Sequence, residues 1–215
     1  MLEYFKKFPM MVPRIGCDYK NKLHKRLLIV GESHYLPNES STHLNSENWY
    51  RDVSKKDLTV KEIQWISTEN IITSSLKDNF KNKAHWIYKN IAYELNESGL
   101  KLDNFRSAIN HICYYNYFLR PAKQGKSLEV AKKDIETAEE VLKWFIEKYK
   151  PELIIFTSSL AGIKAKPILD KAEISYVITP HPTCQWWNRI AKKYGNIRGR
   201  DLFRKFLNEN KWHNV

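Results

Sequence analysis

Short apolar runs predict four strands along the chain. Residues 26–30 form a mostly apolar run that ends at Gly31, and residues 153–156 form a second one directly after Pro151. Continuous apolar runs of this length are typical of strands that are buried on both faces of a parallel sheet. The aromatic stretch 112–119 and the stretch 174–178 have the composition of two further strands.

A helical period occupies the stretch before the third strand. Apolar residues recur every three or four positions across 128–149, and Ser127 is available as the N-cap. This pattern predicts a long helix, which Pro151 ends. Because strand 153–156 follows at once, the helix is expected to cross over between two parallel strands.

Weaker helical signals lie elsewhere in the chain. Thr59 and Glu62 have the spacing of a capping box within the long connection between the first two strands. Helices are also predicted at 159–169 and 200–208. An amphipathic helix is marked by the spacing of Ala84, Ile87, Ile91 and Leu95.

The order of these elements predicts the fold class. It is that of one α/β domain over residues 1–215, a doubly wound αβα sandwich with a central, mainly parallel four-stranded sheet. Sheets of this kind bind ligands outside the carboxyl ends of their strands. The loops at those ends are 31–35, 116–125, 157–162 and 179–187.

The charge points to a polyanionic partner. The chain has 36 lysines and arginines against 24 acidic residues, a formal net charge of +12. Such a protein is drawn to nucleic acid, and DNA is the first candidate, although lysines that serve only solubility are the alternative. The three cysteines form no disulfide or metal-binding pattern, and no signal peptide or membrane segment is evident. We expect a cytoplasmic monomer without a membrane partner.

Two loop motifs resemble those of the uracil-DNA glycosylase superfamily. Residues 31–35, Gly-Glu-Ser-His-Tyr, follow the first strand, and residues 181–183, His-Pro-Thr, follow the last. In that superfamily the first loop has forms such as GQDPY or GEAPG, and the last has HPSP or HPSA. Asn116, Arg120-Pro121 and the strand opening at 151–155 also resemble family segments. The resemblance implies excision of a base flipped out of DNA, without a cofactor.

The resemblance assigns catalytic roles to Glu32 and His181. A carboxylate stabilises the positive charge that develops on the sugar, or activates water, and a histidine donates a hydrogen bond to the departing base. Ser33 stands where GQDPY members have an aspartate, so Glu32, as in GEAPG members, is the preferred acid. Alternatively, Glu32 caps a helix and His181 shapes a turn.

Other residues are candidates for binding the base. Asn116 can present a donor and an acceptor to the Watson–Crick edge, unless a bulge moves Tyr115 to that position. A stacking ring is expected from Trp49 or Tyr50, for which a place in the core is the alternative. His34 has three open roles, as a donor, a phosphate contact or a solvated side chain. The first loop contributes further contacts through Gly31, Ser33, His34 and Tyr35.

A DNA-binding segment is predicted after His181. The superfamily inserts an apolar residue of this loop into the duplex, and adjacent tryptophans here leave at least one indole exposed for that purpose. Surface packing of the tryptophan pair and solvated basic residues are the alternatives. The segment comprises Thr183, Gln185, Trp186, Trp187, Arg189, Lys192 and Lys193, with Arg198, Arg200, Arg204 and Lys205 beyond it.

The sequence predicts no metal site, and it leaves two other functions open. The iron–sulfur members need four cysteines, and His85, His111 and His213 lack partners at ligand spacing, so no cluster or metal is expected. A catalytically silent DNA-binding relative is one alternative, because Ser33 is not an anion. A serine hydrolase that uses Ser33 as its nucleophile is another, although Tyr35 breaks the G-x-S-x-G pattern.

Overall fold

The computed structural model describes residues 2–213 and has an α/β fold. Its strands are β1 (Arg14–Ile15), β2 (Leu27–Gly31), β3 (Tyr35–Leu36), β4 (Ile112–Asn116), β5 (Ala122–Lys123), β6 (Leu153–Phe156) and β7 (Ser175–Ile178). Its helices are α1 (Glu3–Lys7), α2 (Ser46–Arg51), α3 (Val60–Ile66), α4 (Thr68–Lys77), α5 (Trp86–Leu95), α6 (Lys132–Tyr149), α7 (Ser159–Ala172), α8 (Gln185–Asn188) and α9 (Gly199–Glu209). Among these residues, none of the helices combines the length and the apolarity needed to cross a membrane.

The central sheet has five strands in the order β1-β4-β2-β6-β7. Strands β4, β2, β6 and β7 run parallel, and β1 lies antiparallel to β4 at the edge. A second sheet pairs β3 with β5. The predicted α/β class and mainly parallel sheet are confirmed, but the predicted count of four strands is one too low.

The missed strand is β1, which contains only two residues. A strand this short has no period that a sequence can display. It is held by its neighbours, because Arg14 donates to the carbonyl of Ile109 at 3.1 Å and to Oδ1 of Asn110 at 2.8 Å. The backbone N–H of Gly16 also donates to the carbonyl of Ile112 at 3.0 Å.

Side chains of the central strands alternate between two buried faces. In β2, Leu28 and Val30 belong to one apolar cluster, whereas Leu27 and Ile29 belong to the other. Helices α6 and α7 cover the first face, and α5 and α9 cover the second. The sheet is therefore covered on both faces, as the doubly wound interpretation predicted.

Strand β4 ends at Asn116, three residues before the predicted end. Beyond it, the N–H groups of Tyr117 and Phe118 donate to the carbonyls of Gly31 and Glu32 at 3.1 and 2.9 Å. The chain thus crosses the carboxyl end of β2 instead of continuing as a strand. This crossing brings the loop after β2 and the end of β4 together.

Helix α6 begins at Lys132 rather than at residue 128, so the prediction of Ser127 as its N-cap is wrong. The carboxylate of Asp134 accepts the N–H of Ala131 at 2.8 Å and closes the first turn instead. Leu128 is buried in the core, and Ser127 lies at the cleft described below. The predicted capping box at the start of α3 is confirmed.

Candidate functional site

A cleft of about 660 Å³ opens at the carboxyl ends of β2 and β4. We use "floor" for the part formed by the loop after β2, the end of β4 and the loop after β7. The "outer wall" is the part formed by α3, α4, α5 and the turn before α5. The floor comprises Glu32, Ser33, His34, Tyr35, Tyr114, Asn116, His181 and Thr183, and the outer wall comprises Gln64, Trp65, Ile71, Lys83, Ala84, His85, Ile87 and Tyr88, with Gly125 and Ser127 at the rim.

Asn116 lies buried in the floor of the cleft. Its Oδ1 accepts a hydrogen bond from the hydroxyl of Tyr114 at 3.2 Å. A Cβ added to Gly31 would lie 2.1 Å from the same Oδ1, so only glycine lets the amide approach β2 this closely. Tyr115 is buried on the opposite face of the sheet, where its ring stacks on Phe145. The structure therefore places Asn116, and not Tyr115, in the cleft.

Glu32 extends from the end of β2 into the cleft. Its Oε2 accepts the hydroxyl proton of Ser158 at 2.7 Å. Ser158 is also the N-cap of α7, where its Oγ accepts the N–H of Ala161 at 3.3 Å. The carboxylate of Glu32 is thus oriented by a fixed hydroxyl. Ser158 was missed in the sequence, where only its place after β6 indicated that it could lie near the site.

His181 presents a defined tautomer to the cleft. Its Nδ1 lies 3.3 Å from the N–H of Thr183 and 2.9 Å from the hydroxyl of the same residue. A backbone N–H can only donate, so Nδ1 is the acceptor and the proton of the neutral ring is on Nε2. Burial lowers the pKa of His181, and the nearby Glu32 carboxylate opposes this shift. The neutral imidazole is therefore a hydrogen-bond donor through Nε2.

His34 is buried and forms part of the floor. Its Nε2 lies 3.0 Å from the hydroxyl of Thr68 at the start of α4. Burial lowers the pKa of His34 to about 4, so the ring is neutral at physiological pH. Of the three roles left open by the sequence, a solvated side chain is ruled out. His34 instead connects the floor to α4.

The two rings predicted to stack on a base do not line the cleft. Trp49 is fully buried in the core, where it stacks on Phe8 with ring centroids 4.6 Å apart. The hydroxyl of Tyr50 donates to Asp134 at 2.9 Å, next to the N-terminus of α6. Both predictions are wrong in this respect, because distance along the chain after the first motif does not indicate whether α2 reaches the site. The rings that do line the cleft are Tyr35, Trp65, Tyr88 and Tyr114.

The two tryptophans after His181 differ in burial. Trp187 is buried against Phe203, with ring centroids 5.8 Å apart, so its prediction as a DNA contact is wrong. Trp186 is half-buried, whereas Gln185 is exposed. The most exposed large apolar side chain of this segment is Ile190, which is 66% exposed. The sequence did not single out Ile190, because the adjacent tryptophans are larger apolar residues and were the more obvious candidates to enter the duplex.

Basic side chains of this region belong to two groups. Arg189, Lys192 and Lys193 are exposed beside Ile190. Arg198 pairs with Asp201, and Arg204 pairs with Glu94. The first group is therefore better placed to contact phosphates than the second.

Ser33 also lines the cleft, but the histidines beside it are engaged elsewhere. Nδ1 of His181 is engaged by Thr183, which leaves a protonated Nε2 that cannot accept the Ser33 proton, and Nε2 of His34 is engaged by Thr68. This geometry disfavours Ser33 as an activated nucleophile. Within residues 2–213, no group of three or more histidine, cysteine or carboxylate side chains is arranged to bind a metal ion.

Comparison with known proteins adds no assignment to this geometry. No protein-family model matches the chain, and no curated protein sequence is similar enough to it to count as a relative.

Proposed function

We propose that the protein is a monofunctional DNA glycosylase of the uracil-DNA glycosylase type. It hydrolyses the N-glycosidic bond of uracil or another modified base flipped out of DNA and leaves an abasic site. The observation that carries the proposal is the meeting of Glu32, Asn116 and His181 in one cleft at the strand ends. These three groups supply an anion, a base-reading amide and a neutral donor.

The carboxylate of Glu32 acts on the sugar side of the scissile bond. As the bond between C1′ and the base nitrogen breaks, positive charge develops on the sugar, and an adjacent carboxylate stabilises it. The same carboxylate accepts a proton from the water that attacks C1′. The hydrogen bond from Ser158 engages Oε2 and leaves Oε1 available to the substrate.

His181 and Asn116 act on the base side of the bond. The departing base takes the bonding electron pair, and its oxygen becomes negative. The Nε2–H of His181 donates to that oxygen, a contact whose removal typically costs about a hundredfold or more in rate. Because Oδ1 of Asn116 already accepts from Tyr114, its amide N–H groups remain to donate to the base edge.

DNA is the proposed partner, held by the exposed basic group that follows the cleft residues His181 and Thr183 along the chain. Arg189, Lys192 and Lys193 would contact phosphates, and exposed Ile190 would enter the space that the flipped base leaves. All three cysteines are free thiols, which supports a reducing, cytoplasmic location. We expect the protein to act as a monomer.

One observation favours a second candidate, a catalytically silent DNA-binding relative. Ser33 carries no charge where the resemblance places an aspartate, so the water-orienting anion of the GQDPY form is missing at that position. Under this alternative the cleft holds a flipped base without cleaving it.

The proposal is tested with labelled oligonucleotides that each carry one uracil, another deaminated base or a modified cytosine. Hot alkali converts abasic sites to strand breaks, which are separated on a gel. We expect cleavage by the wild-type protein, loss of cleavage in Glu32→Gln, and retention in Glu47→Gln, whose carboxylate is exposed on α2. If every oligonucleotide stays intact while fluorescence anisotropy shows DNA binding, the silent relative is the correct account.

A further inference from the structure

We propose that the base excised by this protein carries a bulky, hydroxyl-rich substituent, of the chemical class of a sugar attached to the pyrimidine ring. The inference rests on the proposed glycosylase function and names the substrate class of the same cleft. It comes from the outer wall, which the chemistry at Glu32, Asn116 and His181 does not use. The base ring would lie on the floor and the substituent against the outer wall.

The size of the cleft is the first argument. Clefts of about 300–1,000 Å³ bury ligands of drug size, and this one measures about 660 Å³. A bare pyrimidine is far smaller than such a ligand. A bare pyrimidine held by Asn116 and His181 would therefore not fill the space beside the outer wall.

The chemistry of the outer wall is the second argument. Trp65, Ile71 and Ile87 offer partly buried apolar surface to the cleft, and Gln64 and Lys83 bring polar ends to the same wall. A sugar ring has apolar C–H faces and a polar hydroxyl edge. It can pack on an indole and an isoleucine while its hydroxyls bond to an amide and an ammonium group.

The outer wall is fixed relative to the floor, which is the third argument. Nε2 of His34 in the floor bonds to Thr68 at the start of α4. The amide of Asn90 on α5 donates to the carbonyl of Pro182 at 2.7 Å. The turn that carries His85 is held by its 3.0 Å contact with Asp78. The width of the cleft is therefore built into the fold.

The test uses matched pairs of duplex oligonucleotides that differ only in the substituent. One pair carries 5-hydroxymethylcytosine with or without a β-glucosyl group, and the other carries 5-hydroxymethyluracil with or without it. Because both cytosine and uracil are used, a preference for one pyrimidine can be distinguished from a preference for the glucosyl substituent. We expect kcat/KM for base release to be roughly ten- to a hundredfold higher with the glucosyl group on at least one ring.

Variants of the outer wall locate the effect. Ala84→Trp narrows the cleft at an exposed position, and Gln64→Ala removes a hydrogen-bonding group. Each should lower the preference for the glucosylated base by about tenfold. The matched controls Ile163→Trp on α7 and Asn70→Ala on α4 lie outside the cleft lining and should keep the wild-type preference.

Three outcomes would overturn the inference in distinguishable ways. If the unglucosylated bases are released faster, the substrate class is wrong while the glycosylase function stands. If Ala84→Trp slows release of all four bases equally, the outer wall holds flanking DNA instead of a substituent. If neither these bases nor the uracil and deaminated-base oligonucleotides are released, the proposed function itself fails.

Discussion

Removal of the Asp134 carboxylate should destabilise the start of α6, which follows the cleft residues Gly125 and Ser127 along the chain. Asp134 is fully buried in the first turn of α6 and accepts two hydrogen bonds from Arg120, at 2.9 and 2.7 Å. It also accepts one from the hydroxyl of Tyr50 at 2.9 Å and one from the N–H of Ala131 at 2.8 Å. In Asp134→Ala, the guanidinium of Arg120 stays buried without its counter-ion. Breaking a buried pair from one side costs about 3–5 kcal/mol of the free energy of unfolding.

The loss of the Arg120–Asp134 ion pair should also loosen the chain segments that Arg120 holds. Arg120 also donates to the carbonyls of His43 and Glu129, at 2.9 and 2.8 Å. These two bonds join the loop after β3 to the segment that leads into α6. When the guanidinium loses Asp134, it is free to leave both carbonyls, and the rim of the cleft near Ser127 should loosen with them.

Urea denaturation followed by tryptophan fluorescence measures the effect. A domain of this kind has a total stability of about 5–15 kcal/mol, so a change of 3–5 kcal/mol shifts the midpoint strongly. The matched control is Glu136→Ala on the same helix, whose carboxylate lies 3.7 Å from Lys132 and 3.4 Å from Lys133 at the surface. Exposed pairs of this kind contribute about 0.3–0.5 kcal/mol.

The double variant Arg120→Met with Asp134→Leu keeps the reasoning testable if Asp134→Ala does not fold. Replacement of both members of a buried pair by apolar residues is often neutral or stabilising. We therefore expect the double variant to be more stable than Asp134→Leu alone. The reasoning is refuted if the two substitutions are additive, or if Asp134→Ala costs no more than the control Glu136→Ala.

Three further predictions concern the floor of the cleft. Gly31→Ala brings a Cβ to 2.1 Å from Oδ1 of Asn116 and 2.4 Å from the hydroxyl oxygen of Tyr114, and should cost about 1–3 kcal/mol in urea denaturation. Because the folded-state pKa of His34 is lowered to about 4 from an unfolded value of about 6.5, the unfolded chain binds more protons between these values. The contribution of neutral His34 to the free energy of unfolding is therefore complete above pH 6.5, and about 3 kcal/mol of it is lost as the pH falls to about 4. His34→Gln should flatten this pH dependence. His181→Ala should lower kcat for base release by about a hundredfold or more; an unchanged rate would contradict its role as a donor.

The central strands could be predicted from the sequence because their environment is simple. Strand β6 has the predicted bounds, and β2 differs by one residue at each end. Both are buried on two faces, so almost every position is apolar. Strands β1, β3 and β5 have two residues each and are defined by backbone pairing, which leaves no pattern in the side chains.

The floor of the cleft could likewise be predicted from the sequence, whereas the outer wall could not. Glu32, Asn116 and His181 lie at the carboxyl ends of parallel strands, and the topology alone brings such ends to one edge of the sheet. Trp65 and Tyr88 come from the long connection between β3 and β4. Their places depend on how four helices pack in that connection, and neither capping nor amphipathicity determines which helix faces the cleft.

The charge at the floor limits the mechanism that the cleft can support. Among the described residues that line the cleft, Glu32 is the one acidic side chain. Ser33 and Asn116, which lie near it, are neutral. A pair of carboxylates that divides acid and base roles is therefore not available here. In the proposed glycosylase reaction, the base would therefore leave as an anion that accepts hydrogen bonds from His181 and Asn116, and Glu32 would serve both the sugar cation and the water. Glu32→Gln removes the one negative side chain of the lining, whereas Ser158→Ala removes a hydrogen bond to that side chain and the N-cap of α7 but leaves the charge in place. The first substitution should therefore lower the rate far more than Ser158→Ala.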